Sequence, residues 1–496
     1  MTEDPVPLSL TADSLHRLEE NMRKVLDSWK VPGLALLLLR DGEVALARGF
    51  GKRNLAENLD VTSRTRLPIG STSKAFTAVA IAMLVEESKL AWDTPIRQYI
   101  PTFKMYDSFA TERLTVRDLL THRCGLPRHE LLWHKSRLTR NEAVERLQYL
   151  EPSKDLRTTF QYQNLMYATA GYLIECVTGQ TWEAFVAERI FKPLGMTRSN
   201  AAIEATLKTD DYALPYEKDD DEVKEVPFYD RFQIIGPAGG ISSNLEDLQH
   251  WLRFQLNGGK HGEIQLLAAA YLAENHTPQT IMPAVPHLNR GAFSSSSYGM
   301  GWVISTFHGQ RMLQHSGGID GFSAEIALLP DANAAVAVLS NPGRTAALYV
   351  AAFYACDCLL EAEPTDWSEL WLALEAKEEM LAVRPEMERV PNAPHTHPLE
   401  AYTGEYEHPG YGVATIACID DTLHFTYNDV TAPLTHLHYD IFEVFIKLAQ
   451  YKTPVALTGG EKGKIESLAV TLEQAVRPIV FTRTEHKEQL EGREER

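Results

Sequence analysis

The tetrad Ser71-Thr72-Ser73-Lys74, followed directly by a long apolar run, is the feature that most constrains this chain. Gly70 interrupts the residues before it, and residues 75–84 have the composition of a buried helix. Ser71 is therefore predicted at a helix N-terminus, where unpaired N–H groups and the helix dipole favour negative charge. Lys74 lies one turn further on the same face, so a partly desolvated amine can activate the hydroxyl. Taken alone, a helix-capping serine beside a solvated lysine is the simpler interpretation.

A second motif, Tyr162-Gln163-Asn164, precedes another helix-like run. A phenol near an amine can share its proton and act as an acid or a base. The adjacent amide of Asn164 can orient a substrate carbonyl or the lysine. In isolation, a loop pair that caps the next helix would explain the same residues.

A third motif, His315-Ser316-Gly317-Gly318, lies on a predicted strand that starts after the turn at residues 308–310. The histidine can donate a hydrogen bond to a substrate or to the tyrosine. The glycines Gly317 and Gly318 allow a substrate backbone to lie flat against the strand, and the next N–H can complete an oxyanion hole. A plain strand end is the alternative. The other His-x-Gly, His408-Pro409-Gly410, is predicted to be a turn.

Together the three motifs resemble the serine hydrolase family of class C β-lactamases, DD-peptidases, D-aminopeptidases and related esterases. That family carries Ser-x-x-Lys, Tyr-x-Asn and Lys/His-x-Gly in this order. Stretches between the motifs share the likeness, which spans roughly residues 10 to 360; they are Leu119–Pro127, Pro193–Thr197, Pro237–Ser243, Tyr298–Trp302 and Val338–Asn341.

The resemblance implies a role for each motif residue. Ser71 would be the nucleophile, with Lys74 and Tyr162 sharing the general-base role and Tyr162 protonating the leaving group. Asn164 would hold the amide of the substrate, and His315 would take the place of the lysine of β-lactamases. The N–H groups of Ser71 and Gly318 would form the oxyanion hole, beside Gly317. No cofactor and no metal are expected.

The third motif also separates this chain from true β-lactamases, because no Lys-Thr-Gly occurs in it. A charged lysine suits the carboxylate of a penicillin, whereas a histidine is only partly charged near neutral pH. Peptidase, amidase or esterase action is therefore favoured over β-lactam hydrolysis. Within the family, the His-x-Gly form resembles that of D-aminopeptidases and some DD-peptidases, which implies a peptidase or amidase for peptides that contain D-amino acids. A carboxylesterase, an acyltransferase or peptide-cyclising thioesterase, and a non-catalytic binding protein remain alternatives, and no Gly-x-Ser-x-Gly elbow supports an α/β-hydrolase.

The composition of the chain limits the kinds of molecule that it can bind. The chain has 496 residues, 44% of them hydrophobic, which suits a globular protein of two or three domains. Its 67 acidic and 48 basic residues give a net charge of −19, which opposes binding to nucleic acid. We expect no membrane span, a cytoplasmic location because no signal peptide is visible, and reduced cysteines. A small peptide, amide or ester substrate is expected, and formation of a homo-oligomer stays open.

Element patterns predict an α+β fold in which the N- and C-terminal parts share an antiparallel sheet flanked by helices, with a mainly helical region between. A capping signal is predicted at Ser243 with Glu246. Residues 1–383 would form the hydrolase domain, 384–398 a proline-rich linker, and 399–496 a small antiparallel β-barrel that resembles a lipocalin-like module.

Three histidine pairs raise the alternative of a metal site. His129 and His134 are five residues apart and would lie on different helix faces. His395 and His397 lie in the predicted linker, and the pair His436 and His438 would share a strand face. A structural role is the favoured interpretation for all three pairs.

Overall fold

The computed structural model describes residues 11–219, 222–283, 293–363, 365–381, 387–448 and 450–484. As far as it is described, the chain divides into two compact units. The first takes in Met1–Phe103, Phe109–Gly125 and Lys154–Ala382, and the second takes in Lys104–Ser108, Leu126–Ser153 and Val383–Arg496. A segment from the N-terminal half of the chain therefore belongs to the same unit as the C-terminal region.

The first unit is built on a nine-stranded antiparallel sheet. The strands of the whole unit, in this sheet and in three smaller ones, are β1 (Gly33–Arg40), β2 (Glu43–Asn54), β3 (Leu59–Asp60), β4 (Leu67–Pro68), β5 (Tyr216–Asp219), β6 (Glu222–Glu225), β7 (Ser242–Ser243), β8 (Lys260–His261), β9 (Ile264–Gln265), β10 (Thr280–Ile281), β11 (Phe293–Tyr298), β12 (Val303–Phe307), β13 (Gln310–Ile319), β14 (Phe322–Leu329) and β15 (Ala334–Asn341). The large sheet has the order β10-β11-β12-β13-β14-β15-β1-β2-β3, and β4–β7, β5–β6 and β8–β9 form small sheets.

The two ends of the first unit meet in the middle of this sheet. Strand β1 pairs with β15, from Gly33 opposite Asn341 to Arg40 opposite Ala334. Strands β1 and β2 are joined by a hairpin, as are β14 and β15. The prediction that the N- and C-terminal parts share an antiparallel sheet is confirmed.

In the described residues, the α-helices lie mainly in the first unit, apart from two short ones at residues 130–133 and 140–146 in the second. They are α1 (Ala12–Trp29), α2 (Ser73–Glu86), α3 (Ser108–Arg113), α4 (Val116–Leu119), α5 (Glu130–Trp133), α6 (Arg140–Arg146), α7 (Asn164–Thr178), α8 (Trp182–Val186), α9 (Lys192–Leu194), α10 (Ile203–Leu207), α11 (Gly236–Gly239), α12 (Leu245–Leu256), α13 (Ala269–Asn275), α14 (Ala347–Leu360) and α15 (Trp367–Leu381). Short 3₁₀ turns span Gly70–Thr72, Ile96–Gln98, Leu147–Tyr149, Pro330–Ala332 and Leu399–Tyr402, and Ala187–Phe191 is a π-helix.

Strand β1 is buried on both faces, which explains its unbroken apolar sequence. On one face, Leu34, Leu36 and Leu38 join the core that α1 and α14 complete. Helix α2 is buried almost all round, and its Phe76 stacks on Trp251 of α12 with ring centroids 3.7 Å apart. This rigid packing fixes the helix that follows the tetrad.

Two local details differ from the sequence prediction. The N-cap of α12 is Asn244, whose side chain accepts from the N–H of Asp247, rather than Ser243. Ser243 lies in β7, opposite Leu67, and its hydroxyl bonds with that of Ser199. Helix α15 was not anticipated.

The second unit contains a nearly closed antiparallel barrel. Its nine strands are β16 (Gly404–His408), β17 (Gly412–Ile419), β18 (Thr422–Tyr427), β19 (Val430–Pro433), β20 (Thr435–His438), β21 (Ile441–Ile446), β22 (Tyr451–Gly459), β23 (Ile465–Val470) and β24 (Ile479–Arg483). They follow the order β19-β18-β17-β16-β24-β23-β22-β21-β20. The two edge strands are consecutive in the chain, and only Leu434 separates them. This confirms the predicted β-barrel, which fits a lipocalin-like domain.

Residues 126–153 hold to this barrel through buried polar contacts. The Nδ1 atom of His129 lies 2.7 Å from Tyr411 Oη, and its backbone N–H donates to Glu473 Oε2 at 2.9 Å. Asn428 Nδ2 donates to the carbonyl of Leu131 at 2.8 Å. Burial lowers the pKa of His129 to about 4, so this imidazole is neutral at physiological pH.

Candidate active site

Ser71 lies in a 3₁₀ turn, Gly70–Thr72, that leads directly into α2. Gly70 has φ +50°, in the left-handed region that glycine adopts without strain. A Cβ atom at this position would come within 2.6 Å of the backbone nitrogen of Gly318. Glycine is therefore required both by the turn and by the close approach of β13, and the nucleophile candidate is placed at the helix N-terminus as predicted from the sequence.

Lys74 is completely buried, and three oxygen atoms within hydrogen-bond distance of its ammonium group are described. Its Nζ lies 3.0 Å from Ser71 Oγ, 2.8 Å from Asn164 Oδ1 and 2.9 Å from the carbonyl oxygen of Ala238. The amide and backbone oxygens can only accept, so they use two N–H bonds of Lys74. A neutral amine held in this way retains one lone pair, which faces the Ser71 hydroxyl. The geometry therefore suits both the charged resting amine and a neutral amine that removes the hydroxyl proton.

Two aromatic rings flank the lysine. Its Nζ lies 4.8 Å from the ring centroid of Tyr162 and 5.3 Å from that of Tyr167. Ring faces stabilise a nearby cation in a site that water does not reach. Tyr167 is fixed in turn, because its hydroxyl donates to the carbonyl of Leu120 at 2.7 Å.

His122 packs against Tyr162 and bonds to the backbone of the second motif. It is fully buried, its ring lies 4.3 Å from that of Tyr162, and its Nδ1 accepts from the N–H of Gln163 at 3.0 Å. Its φ of +54° is uncommon for a residue with a side chain. Because Nδ1 accepts a hydrogen bond, the ring proton of neutral His122 is on Nε2. No role was predicted for His122, although it lies in one of the family-like stretches.

His315 is 4% exposed and lies on β13. Its Nδ1 lies 2.7 Å from the carbonyl oxygen of Ser316, and its Nε2 lies 3.0 Å from Tyr298 Oη. Burial, together with the positive charge of Lys74, lowers the pKa of His315 to about 3. The ring centroids of His315 and Tyr162 are 6.1 Å apart. The third motif therefore adjoins the second and carries no charge at neutral pH.

The backbone of β13 runs against the Ser71 turn. A Cβ atom on Gly317 would lie 2.0 Å from the carbonyl oxygen of Ile69 and 3.0 Å from the nitrogen of Ser71, so only glycine fits there. Gly318, in contrast, is exposed, and a Cβ atom there would meet nothing within 4 Å. The nitrogens of Ser71 and Gly318 thus belong to two backbone segments in close contact, as an oxyanion hole requires.

Helix α11 completes the floor of the site. Its residue Ala238 supplies the third acceptor of Lys74, and the carbonyl of Pro237 accepts from Thr77 Oγ1 at 2.6 Å. A Cβ atom on Gly171 of α7 would meet Pro237 at 2.2 Å, so α7 and α11 are in tight contact. Ser73, the second serine of the tetrad, is buried, and its Oγ accepts from the N–H of Ile241. Ala238 was another contributor that the sequence did not reveal.

The fold thus brings Ser71, Lys74, Tyr162, Asn164 and the His315–Gly318 strand into one place. Within the described residues, no group of three or more His, Cys, Asp or Glu side chains is arranged to hold a metal ion. His129 bonds with Tyr411. The rings of His395 and His436 lie 5.6 Å apart, and no third metal-ligating side chain among the described residues joins them. No described helix combines the length and the apolar character that a bilayer crossing needs.

Comparison with known proteins agrees with this geometry. The model of the beta-lactamase family matches residues 18–355, and the model of a domain of unknown function (DUF3471) matches residues 388–483. The chain is 32% identical over 441 residues to an unguisins hydrolase of Aspergillus campestris, covering 82% of this chain and 79% of that protein. It is 26% identical over 337 residues to the protein flp of Staphylococcus aureus, covering 67% and 64% of the two chains.

Solved structures show the same fold. An octameric penicillin-binding protein homologue from Pyrococcus abyssi aligns with a TM-score of 0.62 and 24% identity, over 94% of this chain and all of that one. A penicillin-binding protein from Bacillus halodurans aligns with a TM-score of 0.55 over 68% of this chain and 98% of that one, at 24% identity. The chain shares the fold of these penicillin-binding proteins. It belongs to the beta-lactamase family, a family of serine hydrolases.

Proposed function

We propose that this hydrolase works through an acyl-enzyme on Ser71 and cleaves peptides or amides that contain D-amino acids. The observation that carries the proposal is the contact between the completely buried Lys74 Nζ and Ser71 Oγ at 3.0 Å. An amine without water around it loses a proton more readily than one in solvent, and its lone pair then faces the hydroxyl.

In the first half-reaction, the Ser71 hydroxyl proton passes to Lys74 as Oγ attacks the carbonyl carbon of the substrate. The negative charge that develops on the carbonyl oxygen is stabilised by the N–H groups of Ser71 and Gly318. Tyr162, whose ring lies beside Lys74, delivers a proton to the departing amine. Asn164 turns Oδ1 toward the lysine, so its Nδ2 is the donor for the substrate amide.

In the second half-reaction, water attacks the ester carbon of the acyl-enzyme. The water proton passes back through Tyr162 and Lys74, and Ser71 Oγ leaves with a proton restored. The same two N–H groups stabilise the second oxyanion. A carboxylesterase uses the same steps with an alcohol as the first leaving group, and an acyltransferase replaces water with an amine or an alcohol.

Two observations favour peptide or amide substrates with D-residues. The His-x-Gly form of the third motif, at His315, resembles that of D-aminopeptidases. The relative that shares 32% identity with this chain is a hydrolase that acts on unguisins, and the two solved structures described above are a penicillin-binding protein and a homologue of one.

The proposal is tested by turnover of a matched substrate panel. The panel holds D- and L-aminoacyl anilides, a D-containing peptide, a short acyl ester and a penicillin. We expect the highest kcat/KM for a D-configured amide and no turnover by Ser71→Ala. Ser73→Ala is the control, because Ser73 belongs to the same tetrad but bonds to Ile241 rather than to Lys74 in the described contacts. Preference for the ester, or equal rates on both stereoisomers, would contradict the substrate assignment, and full activity of Ser71→Ala would contradict the mechanism.

A further inference from the structure

The hydrogen bonds of His315 fix the position of its only ring proton. A carbonyl oxygen can only accept, so Nδ1, which lies 2.7 Å from the Ser316 oxygen, must carry the proton. A neutral imidazole has one N–H, and Nε2 therefore presents a lone pair to Tyr298 Oη at 3.0 Å. Both ring nitrogens of His315 are thus occupied by the protein itself.

The surroundings of His315 keep it neutral. The side chain is buried, and the ammonium group of Lys74 is close enough to disfavour a second positive charge. Tyr298 is fully buried too, and burial raises the pKa of its phenol well above the usual value, so it remains a neutral donor. The pair has further aromatic neighbours: the Tyr298 hydroxyl also bonds with that of Tyr167, and the rings of Tyr162 and His122 lie 6.1 Å from His315 and 4.5 Å from Tyr298 respectively.

We infer that the site selects acyl donors that carry no free carboxylate next to the scissile bond, and that the His315–Tyr298 pair is the determinant. This inference rests on the proposed acyl-enzyme function and names its substrate class. At this strand a carboxylate would find no ring N–H of His315 to pair with, because both ring nitrogens are engaged, and the nearby Lys74 ammonium already bonds to Ser71, Asn164 and Ala238. Burial of the carboxylate would therefore be poorly compensated. The net charge of −19 on the chain adds a weaker repulsion of anions in the same direction.

The substrate class that follows is internal, cyclic or amidated peptide bonds and neutral esters. A peptide whose last residue provides the leaving group has a carboxylate beside the scissile bond and is disfavoured. The enzyme is therefore expected to act within a chain or a ring rather than to remove a C-terminal residue.

The inference is tested with two p-nitrophenyl phosphonates that differ only in ending with a carboxylate or a carboxamide. Ser71 Oγ attacks phosphorus, p-nitrophenolate leaves, and the serine proton passes to Lys74, so labelling needs Ser71 and its base but neither a protonated leaving group nor deacylation. We expect labelling of Ser71 to be at least about 10-fold faster with the carboxamide. High ionic strength screens the diffuse charge of the chain and should leave most of this ratio intact, because a buried site is screened little.

Substitution of the determinant should remove most of the preference. His315→Lys places a cation at the strand, and we expect it to favour the carboxylate probe by about 10-fold over the wild-type ratio. His16→Lys, which adds the same charge at an exposed position on α1, should leave the ratio unchanged. Long-range ¹H–¹⁵N spectra of the wild-type protein should show His315 neutral, with its proton on Nδ1, even if His315→Lys does not fold.

The outcomes separate the two proposals. Equal or faster labelling of the wild-type protein by the carboxylate probe, or a charged His315 at neutral pH, would overturn the selectivity while the Ser71 mechanism stands. Absence of Ser71 labelling by either probe would overturn the proposed function, and this inference with it.

Discussion

Replacing Gly317 by alanine should displace the nucleophile, although the substitution adds only one methyl group. The new Cβ atom would lie 2.0 Å from the carbonyl oxygen of Ile69, where ordinary contact begins at about 3.4 Å. The strand and the Ser71 turn must therefore separate by more than an ångström. Overpacking of this kind typically costs about 1–3 kcal/mol of folding free energy, and a misplacement of about 1 Å costs about 100-fold in rate.

Gly318→Ala is the matched control for stability. Its Cβ atom would point into open space, and its φ is not in the left-handed region, so we expect a free energy of unfolding equal to or slightly above that of the wild type. Denaturant unfolding measures both variants, and phosphonate labelling of Ser71 measures the position of the nucleophile in Gly317→Ala. Wild-type stability together with wild-type labelling in Gly317→Ala would refute the close contact between the two segments.

Three further predictions concern buried groups. Lys74→Met should lower acylation of Ser71 by about 10²–10⁴-fold while the protein stays folded, as labelling kinetics and circular dichroism would show; retention of the wild-type rate would contradict a base role. Burial raises the pKa of Glu325 well above 4.5, so the folded protein keeps a proton that the unfolded chain releases. The contribution of this carboxyl group to folding stability is therefore fully present below pH 4.5 and is lost as the pH rises. The melting temperature of Glu325→Gln should increase relative to that of the wild type between pH 4.5 and neutrality, whereas parallel plots of melting temperature against pH would contradict the prediction. Tyr411→Phe removes the hydroxyl beside His129 Nδ1 and should cost about 1–3 kcal/mol of unfolding free energy, whereas Tyr439→Phe, at an exposed position, should cost almost nothing.

The motifs of the site were readable from the sequence because each is local. A serine and a lysine one turn apart on an apolar helix must share a face, and the contact between Lys74 and Ser71 follows from that spacing. The hairpin of β14 and β15 was equally local, since its turn and its two apolar runs are consecutive.

The supporting groups could not be read in this way, because each reaches the site through the fold. The carbonyl of Ala238 lies 164 positions from Lys74, and backbone acceptors leave no trace in residue type. Tyr298 and His122 stand in family-like stretches, but nothing local shows that one of them bonds with His315 and the other with the backbone of Gln163.

The barrel shows the same limit on a larger scale. Alternating patterns predicted its strands, whereas the attachment of residues 126–153 to it depends on contacts between distant positions. His129, for example, bonds to Tyr411, which lies 282 positions further on. The predicted cap of α12 was also wrong by one residue. Ser243 lies in strand β7, and the neighbouring Asn244 is the N-cap of the helix.

The most direct test of the account is the site of the covalent adduct. The wild-type protein, Ser71→Ala and Ser73→Ala would each be incubated with the carboxamide phosphonate, digested and mapped by mass spectrometry. We expect an adduct on Ser71 in the wild type and in Ser73→Ala, and none in Ser71→Ala. An adduct on another residue of the wild type, or one that persists in Ser71→Ala, would contradict the claim that the buried Lys74 activates Ser71.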